Sequence, residues 1–99
     1  MGGYYNVSVG STPRRITNAF EYRSALSILN NDPNITIYLG TDASVSPVNG
    51  MPMPSQSGLN FLRGLGDETE IEYWGVTSAG NADVRVLEGY TSKPIKEEA

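Results

Sequence analysis

Apolar and polar residues alternate with a period of two along several short stretches of this chain. The alternation is clearest in residues 5–9 and 35–40, where every second residue is apolar. This period is typical of β-strands that bury one face. Further strands are predicted over residues 59–62, 71–77 and 82–87. The residues expected to face the core in the first half of the chain are Tyr5, Val7, Val9, Leu26, Ile28, Ile35, Ile37 and Leu39.

Turn-forming residues separate these strands. Residues 10–13 and 30–34 are rich in Gly, Ser, Asn and Pro, which favour turns. Residues 78–81 form a short turn signal, so the last two strands are predicted to make a hairpin. Residues 42–58 contain three prolines and no sustained period, which indicates a long loop with one or two short edge strands.

The segment from residue 14 to residue 29 allows two interpretations. Its Ser and β-branched residues favour a strand. A helix over 17–29, capped by Thr17 or Asn18, is the alternative. With the strand interpretation, the chain has about six to eight short strands separated by turns, which is typical of an antiparallel β-sandwich or a small barrel of jelly-roll type.

The domain prediction is one β-sandwich over residues 1–90. Residues 91–99 carry four charged side chains and one proline, and they are expected to form a mobile tail. A chain of 99 residues suits a single domain.

Composition narrows the chemistry available to this domain. The chain has no His and no Cys, which excludes imidazole bases, thiol nucleophiles, disulfides and the usual zinc sites. We therefore expect no enzyme activity, no cofactor and no metal. Eleven acidic residues against seven basic ones give a net charge of -4, which disfavours nucleic-acid binding. No apolar run approaches the about 20 residues that cross a bilayer, so no membrane association is expected.

An acidic segment is the densest charge feature of the chain. In an extended strand, Glu68, Glu70 and Glu72 would share one face at spacings of about 7 Å. Such a face, next to Asp67, would form either a cation site or an acidic docking surface. The spacing does not match a calcium loop. A solvated strand face or loop is therefore the favoured interpretation.

Aromatic and basic residues supply the other candidate contacts. Trp74 is interpreted first as the main core residue of the sandwich, and otherwise as a sugar platform or an oligomer contact. Only one of Tyr73 and Trp74 can face the core of a regular strand. Arg14, Arg15 and Arg23 form a weak basic cluster that would suit an acidic partner surface. The residues predicted for an interface are Tyr4, Tyr5, Arg14, Arg15, Trp74, Glu68, Glu70 and Glu72.

Several strand and turn motifs resemble the small β-rich virion-associated proteins of tailed phages and prophages. The resemblance covers about residues 14–90, and it includes a core strand that ends in Tyr-x-Gly, a Gly-Pro loop and a closing hairpin. The motifs that carry it are Arg15-Ile16-Thr17, residues 25–31, residues 35–40, Val48-Asn49-Gly50-Met51-Pro52-Met53 and residues 74–88. They are structural motifs, so no catalytic or binding residue is transferred with them.

The resemblance implies a virion structural protein, either a capsid-decoration or a head-tail accessory subunit. Such a subunit would associate with copies of itself and dock on a capsid or tail protein. It would be found in the virion, or in the host cytoplasm before assembly. A host-surface or carbohydrate-binding β-sandwich module is the main alternative, with the loop 43–58 and Trp74 as its site. A host-directed enzyme or inhibitor, acting through the acidic segment, is a third.

Overall fold

The computed structural model describes residues 2–91 and shows an all-β protein with eight strands and a single turn of 3₁₀ helix. The alternating apolar positions account for most of the strands, and Gly, Asn and Pro occupy the turns between them. The strands are β1 Gly2–Val9, β2 Arg14–Thr17, β3 Arg23–Asn30, β4 Ile37–Gly40, β5 Met51–Met53, β6 Gly58–Leu62, β7 Tyr73–Thr77 and β8 Ala82–Tyr90, and the 3₁₀ turn is Arg63–Leu65.

The strands form two antiparallel sheets of four strands each. The front sheet has the order β1-β8-β3-β6, and the back sheet has the order β2-β7-β4-β5. Strands equally far from the two ends of the fold are neighbours: β1 pairs with β8, β2 with β7, β3 with β6 and β4 with β5. This is a long hairpin folded over on itself, which is the jelly-roll arrangement. The predicted all-β sandwich is therefore confirmed.

The core lies between the inner faces of the two sheets. Alternate residues of each strand point inward, as the period of two predicts. Gly75 of β7 lies at a close approach, since a Cβ there would be 2.8 Å from Cδ1 of Ile16. The buried residues of the core cluster are Val9, Ile16, Leu26, Ile28, Ile37, Leu39, Met53, Tyr73, Ala82, Val84 and Val86, with Tyr5, Val7, Ile35, Leu59, Phe61 and Ile71 partly buried against them.

Two sequence predictions about connections are wrong. The segment 14–29 is neither one strand nor a helix: β2 lies in the back sheet and β3 in the front sheet, with residues 18–22 crossing between them. The last two strands do not form a hairpin, because β7 pairs with β2 and β4 while β8 pairs with β1 and β3. The turn signal marked a reversal of the chain correctly, but the reversal between β7 and β8 also changes sheets.

The proline-rich loop contains one short edge strand, as predicted. β5 is three residues long and stands at the edge of the back sheet, with Pro52 at its centre. Ahead of it, Val45 packs over the outer face of β4. A Cβ on Gly40 would lie 2.7 Å from the Val45 side chain, so a glycine is needed to admit this contact. The loop thereby covers part of the outer face of the back sheet.

The predicted mobile tail falls almost entirely outside the described residues. Its first residue, Thr91, donates its backbone N–H to the Tyr22 carbonyl at 2.7 Å. Residues 92–99 are not described. Within residues 2–91, no helix has the length and apolar character needed to cross a membrane.

Candidate functional site

The outer face of the front sheet carries a group of exposed apolar side chains. Tyr4 is 65% exposed and Leu87 is 56% exposed, and the two residues are cross-strand partners on β1 and β8. Leu29 of β3 and Leu62 of β6 are also exposed on this face. These residues alternate with core residues along the same strands, so burial of the inner face places them outward. We call this surface the apolar front face.

Few charges interrupt the apolar front face. Among the described residues of its strands, Asp83 and Arg85 are the charged groups that point outward, and they pair at 2.7 Å between Oδ2 and Nε. Hydrogen bonds from Arg85 and Asn31 hold the pKa of Asp83 below its usual value. Arg85 also donates to the Tyr4 hydroxyl at 3.2 Å. The other described outward residues of these strands are uncharged, and a surface with few charges and an aromatic residue is typical of protein interfaces.

The outer face of the back sheet carries a second group, built around Trp74. The Arg15 guanidinium lies 5.9 Å from the centre of the indole ring, a cation–π contact. Glu72 accepts a hydrogen bond from the indole Nε1 at 2.9 Å and pairs with Arg15 at 3.4 Å. Arg15 lies on β2, the edge strand of the back sheet, whereas Trp74 lies on the neighbouring strand β7 and Glu72 directly precedes β7. The structure thus brings together three of the residues predicted for an interface.

The interpretation of Trp74 as the main core residue is wrong. Trp74 points outward and is half-buried, whereas its neighbour Tyr73 is buried in the core. The Tyr73 ring stacks on Phe61 with centroids 5.0 Å apart, and its hydroxyl donates to the Glu68 carbonyl at 2.7 Å. Tyr73 can serve as a core residue because its polar tip reaches a backbone acceptor. Trp74 is left available for surface contacts.

The β2–β3 connection forms a ridge between two open grooves. One groove, of about 890 Å³, lies between β1 and β2 and includes Tyr5, Arg14 and Arg15 in its walls. The other, of about 750 Å³, lies towards residues 70–72. Phe20 lines both grooves and packs edge-on against Tyr90, with ring centroids 5.0 Å apart.

A buried ion pair forms the floor of the first groove. Arg23 and Glu88 are both buried, and Arg23 Nη1 lies 3.1 Å from Glu88 Oε2. Arg23 donates its remaining hydrogen bonds to the backbone carbonyls of Asn18, Thr69 and Ile71, at 2.7, 2.7 and 2.8 Å. The guanidinium thereby joins β3, β8 and the two loops that precede β3 and β7.

Two tyrosine hydroxyls complete the coordination of Glu88. Tyr5 donates to Oε2 at 2.8 Å, and Tyr90 donates to Oε1. Burial and the hydrogen bond to Glu88 raise the pKa of Tyr5, and a separate hydrogen bond to Glu88 raises the pKa of Tyr90. Glu88 thus accepts three hydrogen bonds, and its charge is balanced by Arg23. This network is suited to holding one end of the sandwich together.

The basic cluster predicted from the sequence is divided in the structure. Arg23 is buried, whereas Arg14 and Arg15 are exposed. Arg14 donates to the Ser8 carbonyl at 3.2 Å, across the β1–β2 corner. A bulge in β3 explains the inward direction of Arg23, since its register with β8 shifts between Arg23 and Ala25.

The acidic segment lies in a loop, which is one of the two forms predicted for it, but it is solvated only in part. Residues 66–72 precede β7 and belong to no strand. Glu68 is exposed, but Glu70 is buried and paired with Arg63, and Glu72 pairs with Arg15. In residues 2–91, no group of three or more carboxylates is arranged to hold a metal ion.

Sequence reasoning missed the apolar positions of the front face and the buried pair. The outward positions of the strands include three leucines, Leu29, Leu62 and Leu87, each next in the chain to a residue that faces the core. An apolar residue at a position where the alternation predicts a polar one is the signal that would have found them. Arg23 and Glu88 are far apart in the chain, and no spacing rule connects them.

No protein-family model matches the sequence, and no curated protein or solved structure matches it.

Proposed function

We propose that this protein is a structural subunit of a viral particle, of the capsid-decoration or head-tail accessory type. In this proposal it associates with copies of itself and docks on a capsid or tail protein. The observation that carries the proposal is the apolar front face, with Leu87 on an inner strand, Tyr4 beside it on the edge strand β1, and the Asp83–Arg85 ion pair as its described charges. Exposed apolar patches of this kind mark protein-interaction surfaces.

The size of the front face favours repeated docking over a single tight contact. Four strands about 4.8 Å apart, with lengths of five to nine residues, give a face of roughly 500 Å² in projection. A standard stable interface uses about 800 Å² of accessible surface per partner. A single face of this size therefore gives modest affinity. Copies that repeat on a particle lattice, and that contact one another, gain affinity through effective concentration.

The described carboxylates near the grooves support an adhesive role over a catalytic one. Of the four carboxylates that line the two grooves, Glu88, Glu70 and Glu72 are each paired with an arginine, and Glu21 is exposed. A pair of glycosidase carboxylates needs one group that delivers a proton and another that faces the substrate. Glu88 instead accepts hydrogen bonds from Tyr5 and Tyr90 in a closed network.

Incorporation into particles tests this proposal. Leu87→Glu places a charge at the centre of the front face, and Val48→Glu is the matched control because Val48 is 95% exposed in a loop. Particles are purified from cells that produce each variant, and the protein is quantified by mass spectrometry. We expect Val48→Glu to be incorporated like the original chain and Leu87→Glu to be lost. Equal incorporation of both, or absence of the original chain from particles, would overturn the proposal.

A carbohydrate-binding or host-surface module is the second candidate, and the Trp74 group is the observation that favours it. A half-exposed indole beside Arg15 and Glu72 offers a stacking face and hydrogen-bonding groups to a sugar. Titration with soluble host glycans, followed by Trp74 fluorescence, tests this candidate. A saturable change that Trp74→Phe abolishes would support it, and an unresponsive signal would count against it.

A further inference from the structure

The four edge strands of the sandwich differ in how they are protected. β1 and β6 stand at the edges of the front sheet, and β2 and β5 at the edges of the back sheet. Each edge exposes backbone donors and acceptors to which a further strand can pair. Proteins usually block such edges by shortness, charge, proline or bulges.

Three of the four edges carry such protection. β5 has three residues and contains Pro52. β2 has four residues, of which two are arginine, and its register is broken between Arg15 and Thr17. β6 has five residues, and Asp67 closes its end by accepting a hydrogen bond from the Leu62 N–H at 2.9 Å. A further strand would find little continuous backbone at these edges.

β1 is different from the other three edges. It is eight residues long, Gly-Gly-Tyr-Tyr-Asn-Val-Ser-Val, and it contains no charged residue and no proline. Its register with β8 is continuous from Gly2 to Val9, without a bulge. β1 is therefore the longest edge of the described fold, and the strand itself has no charge, proline or bulge; the Arg14 side chain contacts it at Ser8, near its end.

The direction of the free backbone groups follows from one hydrogen bond. Arg14 of β2 donates to the Ser8 carbonyl, so that carbonyl points away from β8. Backbone groups of alternate residues point to the same side of a strand. Tyr4 and Asn6 therefore present their N–H and C=O groups to the free edge, and their side chains lie on the outer face of the front sheet.

We propose that β1 pairs antiparallel with β1 of a second copy, about a two-fold axis perpendicular to the sheet. With the axis through Tyr5, Tyr4 of one copy lies opposite Asn6 of the other, and these residues exchange four backbone hydrogen bonds. The result is one continuous eight-stranded front sheet. No charge within β1 opposes this contact, although each chain carries a net charge of -4.

A second copy fits this edge better than an unrelated partner does. A two-fold contact uses the same strand in both chains and then closes. Since β1 is the one unprotected edge among the described strands, pairing stops at a dimer and does not continue into a fibre. The dimer also joins two apolar front faces into one surface twice the size of the single face. In this respect the inference rests on the proposed docking function.

Substitutions at Asn6 test the pairing. Asn6→Pro removes the free N–H and leaves the pairing with β8 intact, because that N–H points away from β8. Asn6→Lys is a second variant, which places a charged side chain opposite Tyr4 of the second copy and brings two like charges diagonally across the axis. Asn60→Lys is the matched control, since Asn60 is an exposed residue on the other edge of the same sheet. Circular dichroism confirms the fold of each variant.

Sedimentation equilibrium measures the association directly. We expect the original chain and Asn60→Lys to show twice the 10.7 kDa chain mass, and both Asn6 variants to raise the dimer dissociation constant at least about tenfold. A monomeric original chain at all concentrations, or Asn6 variants that dimerise like it, would overturn the inference. If the original chain is a monomer but is still incorporated into particles, only the β1 pairing is refuted. If it is a dimer but is absent from particles, only the proposed function is refuted.

Discussion

Removal of the Arg23 side chain gives the sharpest test of how this fold is held together. Arg23→Met keeps most of the aliphatic volume but deletes the guanidinium, and with it the contact to Glu88 and three hydrogen bonds to backbone carbonyls. Glu88 then remains buried without its cation. Breaking a buried pair in this way costs about 3–5 kcal/mol.

That loss is large for a domain of this size. Single domains unfold with about 5–15 kcal/mol, and each kcal/mol corresponds to about 4–8 °C in the melting temperature. We therefore expect the melting temperature of Arg23→Met to fall by at least about 12 °C. Arg85→Met is the control, because the Arg85–Asp83 pair is exposed and such pairs contribute at most about 1 kcal/mol.

Chemical unfolding followed by Trp74 fluorescence and by circular dichroism measures the effect. The double variant Arg23→Met with Glu88→Gln removes both charges, and we expect it to be more stable than Arg23→Met alone, because no buried charge is left unpaired. A loss below about 1 kcal/mol for Arg23→Met, or a double variant whose losses simply add, would refute the role assigned to this pair.

Three further predictions concern pH, a buried amide and a close approach. The folded chain raises the pKa values of Tyr5, Tyr73 and Tyr90. Their contribution to stability is therefore complete below about pH 10 and declines above it, because these tyrosines ionise first in the unfolded chain. The urea midpoint should fall between about pH 9 and pH 11, and an unchanged midpoint would contradict this. Asn30→Ala leaves three backbone carbonyls without their side-chain donor, and it should cost at least about 2 kcal/mol in the same unfolding assay. Gly75→Val forces a side chain against Ile16 and should lower the melting temperature by several degrees, whereas a neutral result would show that the core adapts.

The fold class was predictable from the sequence because each strand buries one face. In residues 5–9 and 82–87 the period of two marks both the strand and its inward side, and Val9, Val84 and Val86 are fully buried as a result. The proline content of the loop 42–58 likewise indicated an edge strand, which is β5.

The sheet assignment of the strands was not predictable from local pattern. A turn such as residues 78–81 has the same composition whether it joins neighbours in one sheet or crosses between two sheets. Here Thr77 donates its N–H to the Gly10 carbonyl at 2.8 Å, so the ends of β1 and β7 meet at this corner. Contacts of that range are set by the packing of the whole core.

The candidate surfaces were predicted in part. Tyr4, Arg15 and Trp74 do lie at the surface, where aromatic and arginine side chains favour contacts. The burial of Arg23 and Glu88 was missed because charged residues are normally exposed. Their burial depends on a β-bulge and on loop carbonyls that come together only in the folded chain.

The central claim is that the domain is a structural subunit that acts by binding to other proteins. The most direct test of this claim is the copy number of the protein in purified virus particles. Quantitative mass spectrometry against labelled peptides from residues 24–63 of the chain gives that number relative to the major capsid protein. The account predicts many copies per particle, in a fixed ratio to a capsid or tail protein. Less than one copy per particle, or an amount that falls with each purification step, would contradict it.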